Sequence, residues 1–209
     1  MFDPLQIPNV WRAQSIHPHA SIEPTGFDAL DAALGGGWPA PAFIEILTDV
    51  YGIGEIQVIL PLLRSLMKRA PAPPLIVWLN PPHQPNAVAL AQHGLMDGHH
   101  WLAMNLSPRD TLWSMERALK AGACSAVLAW VPSADTASLR RIRLAVSTGH
   151  VYGILYRSSS VAGQASPAHV RLQLSPRDSL LHVAVLKAPG RKPTELLLNI
   201  DSQRLHPEA

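Results

Sequence analysis

Only one cysteine, Cys124, occurs in the 209 residues, so no internal disulfide can form, which fits a reducing compartment. Charge is scarce as well: 15% of residues are Asp, Glu, Lys or Arg, against about 25% in a typical domain. The apolar fraction of 47% is ordinary, which excludes a long disordered chain. No hydrophobic run is long. The best, Ala123–Pro132, is interrupted by Ser125 and falls far short of the roughly 20 residues that span a bilayer. The N-terminus, MFDPLQIPNVW, has Asp3 and two prolines instead of a basic and then apolar signal. A cytoplasmic protein that avoids membranes is the expectation. The formal net charge of +2 is too small to indicate nucleic acid.

What is present reads as alternating strands and helices. Residues 1–24 form a Pro-rich arm, with IPNV, IHPH and IEPT resisting helix and central strand, and with Trp11 as an anchor. Residues 25–200 form the core, and 201–209 a polar tail. FDALDAAL (27–34) has a helical stripe, GGGWP (35–39) a turn, and AFIEIL (42–47) a buried strand carrying one acid. A helix follows through Arg69, started late or kinked by Pro61. PLIVWLN, NAVALAQHGL and HHWLAMNL read as strand, helix and strand. SPRDTLWSMERALKAG (107–122) carries a cap at Ser107, Pro108 in its first turn and Gly122 as its stop. CSAVLAWV, SADTASLRRIRLAVSTG and HVYGILYRS continue the rhythm. The last stretch, from Val170, alternates apolar and polar with turns at SPRDS and APGRKP. The fold class expected is α/β, a mostly parallel sheet covered by helices, with a C-terminal antiparallel hairpin or meander.

In such sheets the site to inspect is the glycine loop after the first long strand. A phosphate loop needs G-x-x-x-x-G-K-[ST], whose amides and lysine hold phosphate and whose hydroxyl holds Mg²⁺. Here the loop runs TDVYGIGEIQ, from Thr48 through Gly52 and Gly54. Glu55 stands at the lysine position and Ile56 at the hydroxyl position. A carboxylate repels a triphosphate, and isoleucine cannot bind metal. The second acid of a nucleotide site is absent too, because SAVLAWVP ends on Trp130, Val131 and Pro132. The expectation is a non-enzyme with no cofactor and no metal. His83, His93, His99 and His100 lack the Cys or paired acids of a tetrahedral set, although Asp97 is close.

TGFDALDAALGGGWP (25–39), the Glu-containing strand and the GIGE loop (52–55) resemble the RecA-like core, and most closely the ImuA family of translesion DNA synthesis-associated proteins. The resemblance implies a RecA-like fold without a nucleotide site. It also implies an adaptor role in SOS mutagenesis and DNA repair, with ImuB and RecA as partners and DNA as a further candidate. A second reading is a SulA-type SOS cell-division inhibitor binding FtsZ. The basic C-terminal region and the RecA-like front end argue against that second reading.

The charge map is uneven. Residues 1–139 hold seven basic and eleven acidic side chains, residues 140–192 nine and one, and residues 193–209 one and three. The nine cations are Arg140, Arg141, Arg143, Arg157, Arg171, Arg177, Lys187, Arg191 and Lys192. Such a run serves phosphate contact, an acidic protein partner or a solvated face equally well. Trp38, in the Pro/Gly turn, joins Trp11 as a candidate partner anchor.

Overall fold

A computed structural model of the chain describes residues 21–69, 74–96 and 98–200. The elements, in order, are β1 (Ser21–Glu23), α1 (Asp28–Leu34), β2 (Trp38–Ala40), β3 (Phe43–Leu47) and α2 (Leu60–Arg69). Next come β4 (Leu75–Leu79), α3 (Ala87–Gln92), β5 (His99–Ala103), α4 (Pro108–Ala121), β6 (Ala126–Trp130), α5 (Thr136–Gly149) and β7 (Tyr152–Arg157). The chain closes with β8 (Val170–Arg177), β9 (Leu180–Lys187) and β10 (Thr194–Leu198).

The caps lie where the side-chain chemistry puts them. Ser107 Oγ accepts from Asp110 N and starts α4, and Gly122, at φ 66°, stops it. Asp135 caps α5 by accepting from Ser138 N. Pro61 lies in the first turn of α2, where its missing N–H costs nothing, so the helix starts late and does not kink. The helix expected over 86–95 is shorter, ending at Gln92, because Gly94 turns the chain at φ 66°.

Eight strands form one sheet in the order β10-β9-β8-β3-β7-β6-β4-β5. From β8 to β5 every pairing is parallel, while β9 and β10 are antiparallel additions. The expected α/β architecture with a C-terminal meander is therefore present. Strand alternation then divides the core in two. Ile44, Ile46, Trp78, Leu128, Ile154 and Leu172 point to the face holding α1 and α2. Phe43, Val77, Val127, Leu155 and the apolar sides of α4 and α5 fill the other face.

One feature of the front end was not legible. β1 pairs antiparallel with β2, so Ser21–Glu23, placed with the arm above, are ordered against the GGGWP turn. Gly37, at φ 140°, lies where any Cβ would run into the Glu23 carbonyl, which makes glycine obligatory at this strand crossing. The arm's residues 1–20 with Trp11, together with Asp97 and the tail 201–209, lie outside the described residues.

Candidate functional site

The loop after β3 is closed by its own side chains. Glu55 is buried, and its carboxylate folds back to accept from Gly52 N at 3.0 and 3.2 Å. A backbone donor of the kind that would cradle phosphate is thus already occupied by an internal anion. Gly54, at φ 106°, lies directly under Ile200, which follows β10, so the chain's last described turn covers the loop. Ile56 also packs toward the core. Thr48 Oγ1 is spent locally, donating to Val50 O at 2.8 Å. At the loop's outer edge Asp49 accepts from the hydroxyls of Ser159 and Ser158, which hold its carboxyl below the usual range.

Aromatic rings fill the neighbouring strand ends. Tyr156 stacks on Trp130 with centroids 4.5 Å apart, and Trp130 stacks on Trp78 at 6.1 Å. The Tyr156 hydroxyl donates to Glu55 O at 3.2 Å, tying the stack to the loop. Burial, with the Glu55 charge adding to it, pushes that phenol well above its ordinary pKa. Trp78 Nε1 donates to His100 Nδ1, and His100 Nε2–H donates to Leu95 O at 2.8 Å, so this histidine serves as a structural link. Beyond the stack remains a cavity of about 290 Å³ between the loop and Pro81–Asn86.

The nine cations do not form one surface. Arg157 and Arg171 are among the most buried charged groups, and both grip Glu45 on the central strand β3. Arg157 Nη1 donates to Glu45 Oε1 at 2.7 Å and Nη2 to Ala134 O at 3.2 Å. Arg171 Nε lies 2.8 Å from Glu45 Oε2, an ion contact outside hydrogen-bonding angle, and its Nη atoms donate to Val161, Ala162 and Gln164 carbonyls. Their assignment to a DNA or partner face is therefore corrected: parallel pairing places both beside a buried acid that no water can solvate.

The other seven cations scatter. Arg140 and Arg141 are exposed on α5, and Arg141 is held by Glu116 at 2.9 Å and by Ser138. Arg143 is half-buried near His169 and Lys187, and Lys187 donates to Ser166 O. Arg191 packs on Gly35 at the carbonyl end of α1, a position that favours a cation. Arg177 is exposed at the far end of the β8–β9 hairpin, and Lys192 is exposed before β10. Trp38 is wholly buried, so it anchors the β1–β2 crossing and not a partner.

A surface that the sequence did not reveal lies at the other end of the sheet. Among the described residues β5 is an edge strand, paired with β4 alone. Trp101 is 66% exposed, and Leu102, Met104 and, on α4, Trp113 are exposed as well. Trp101 shares an apolar groove of about 610 Å³ with Val77, Ser114, Ala118, Ala121 and Cys124. Alternation marks HHWLA as a strand but carries no signal that it is the last strand of the sheet among the described residues. Cys124 is half-buried there, and desolvation lifts its thiol pKa to about 11, which keeps it protonated and unreactive.

Comparison with known proteins decides between the two expectations. The family model for the cell division inhibitor SulA matches residues 49–153, from the closed loop through β7. The chain belongs to the SulA family. The SulA cell division inhibitor of Yersinia enterocolitica is 29% identical over 151 residues, covering 70% of this chain and 86% of that protein. The SulA of Yersinia pseudotuberculosis serotype O:1b is 34% identical over 128 residues, covering 56% and 74%.

The ImuA assignment is thereby overturned, and with it the translesion-synthesis role and the partners ImuB and RecA. The SulA match begins at Asp49, after the GGGWP segment on which the resemblance leaned. That segment has a local physical cause, a glycine turn forced by the β1–β2 crossing and closed by buried Trp38. It marks a way of folding and not a partner. No described helix is long and apolar enough to cross a membrane.

Proposed function

We propose that this chain is a non-catalytic inhibitor of cell division in the cytoplasm, made in the SOS response to DNA damage and acting by binding FtsZ. Membership of the SulA family supports the process. The observation that carries the mechanism is the closed loop. Glu55 occupies Gly52 N, Ile200 lies over Gly54, and the loop carries no lysine to hold a phosphate, which supports a role without nucleotide turnover. An SOS product on this scaffold acts by occupying a partner's surface, and its effect follows the stoichiometry of binding instead of turnover.

The test is direct. The purified chain is added to FtsZ and GTP, and polymer is measured by light scattering and sedimentation. Polymer should fall in proportion to the chain added, reaching a minimum near equimolar amounts, and induced expression should give filamentous cells. Full polymerisation at a several-fold excess, with no FtsZ retained on the immobilised chain, would sink the reading.

A further inference from the structure

We propose that the open edge built by β5 and α4 is the docking surface, and that it takes an acidic, extended segment of the protein partner. This rests on the inhibitor reading above and names where its partner sits.

Four observations converge on this edge. Among the described residues, no strand pairs with the outer backbone edge of β5. The strand HHWLA carries no proline, lysine or glutamate, the residues that commonly protect an edge from pairing. The opposite edge, β10, begins TE and places Glu195 against His182, so it is better guarded. Second, α4 packs against β6 and β4, and the apolar groove beside it is walled by Trp101, half-buried Leu75 and Ala118 and Ala121 of α4, over buried Val77 and Leu79.

Third, large apolar side chains concentrate here. Trp101 is 66% and Trp113 58% exposed, with Leu102 exposed in β5 and Met104 just after it. Trp101 lines the groove and Trp113 stands exposed on α4, the helix that supplies its other wall, and exposed Trp favours an interface because it supplies much area for few rotatable bonds. Each ring buries about 150–250 Å² when fully covered. With about six-tenths of each ring still open, the two can supply on the order of a third of the roughly 800 Å² per partner in a stable complex.

Charge decides the occupant. The outer layer of α4 and α5 presents Arg109, Arg117, Lys120, Arg140 and Arg141 against Asp110 and Glu116. Asp110 is engaged by Ser107, and Glu116 by Arg141. Arg117 already lies 5.5 Å over the Trp113 ring, placing a cation at the rim of the apolar surface. A second copy would bring the same cations against these, so self-association through this face is disfavoured. A strand with apolar side chains on one face and Asp or Glu flanking it matches on both counts. Its backbone extends the sheet from β5, its apolar residues enter the groove, and its acids meet the helix cations.

The experiment measures binding of purified FtsZ to the full chain by interferometry at 50 and 300 mM salt, with thermal melts as controls. Trp101→Ser with Trp113→Ser should weaken binding tenfold or more. Arg117→Glu with Lys120→Glu should weaken it at low salt and flatten its salt dependence. Arg177→Glu with Lys192→Glu, on the far side, should change neither. All six side chains are exposed, so melting temperatures should hold. If the parent chain binds and the edge variants bind equally well, the surface is wrong while the inhibitor reading stands. If the parent chain fails to bind, the reading itself fails. If the tryptophan variant abolishes a dimer seen by ultracentrifugation and leaves FtsZ binding intact, the occupant is a second copy and the proposal is overturned.

Discussion

Glu45→Gln should destabilise the protein more than any surface substitution, through charge and not through volume. Glu45 is fully buried, with two guanidiniums at 2.7 and 2.8 Å. At an effective dielectric near 20, each contact is worth about 6 kcal/mol before desolvation. Desolvating three ions offsets most of that gain, so the group adds little relative to an apolar core. Removing the acid alone is another matter. Arg157 and Arg171 remain buried side by side with no counter-charge, which costs about 3–5 kcal/mol. That is a large share of a total stability of about 5–15 kcal/mol. For a chain of this size the melting temperature should drop by about 6–20 °C, at about 2–4 °C per kcal/mol. Urea denaturation followed by circular dichroism gives the free energy, and calorimetry the temperature. The triple variant Glu45→Leu, Arg157→Met, Arg171→Met is the control. It should recover most of the loss, because it removes all three charges together. A loss below about 1 kcal/mol for Glu45→Gln would refute the argument, as would a triple variant no better than the single.

The other predictions concern the loop, the aromatic stack and pH. Gly54→Ala forces a Cβ at φ 106° into Ile200 and should cost about 1–3 kcal/mol by denaturant titration. Millimolar ATP or ADP should leave the melting temperature of the parent chain unchanged. A ligand present at 100 times its Kd would add about 2.7 kcal/mol, easily seen in a thermal scan. Trp130→Ala breaks the stack between Trp78 and Tyr156 and should cost about 3–5 kcal/mol, with a visible loss of near-ultraviolet dichroism. His169 accepts from Phe43 N at 2.8 Å, and burial followed by the Arg143 charge lowers its pKa from 6.5 to about 4. The unfolded chain therefore takes up a proton below pH 6.5 that the folded chain refuses until about pH 4. Stability should fall as pH drops through that window and be flat above it. The ring is partly solvated, so screening reduces the loss to about 1–2 kcal/mol. His169→Asn, which keeps an acceptor, should remove that share of the slope between pH 7 and 4.5.

By itself the sequence determined most of the elements and the departure of the loop after β3 from the phosphate-binding pattern. Capping at Ser107 and Asp135, the punctuation by Pro61 and Gly122 and the unbroken apolar run of β6 are local properties, and local chemistry decides them. Glu55 and Ile56, at the lysine and hydroxyl positions, depart from the phosphate-loop pattern by residue type alone. What a sequence cannot display is which side chains meet, because parallel pairing joins residues over a hundred positions apart. Glu45 reads in the sequence only as one acid in an apolar strand. The register of β3 with β7 and β8 made Arg157 and Arg171 its partners and removed two cations from the apparent basic face. The same holds for exposure. Trp38 reads as a turn residue open to a partner and Trp101 as part of a short strand, yet Trp38 is sealed under a glycine crossing and Trp101 stands open on the sheet's last described strand. Strand order, set by crossover connections between distant segments, decided that difference and with it where a partner can dock.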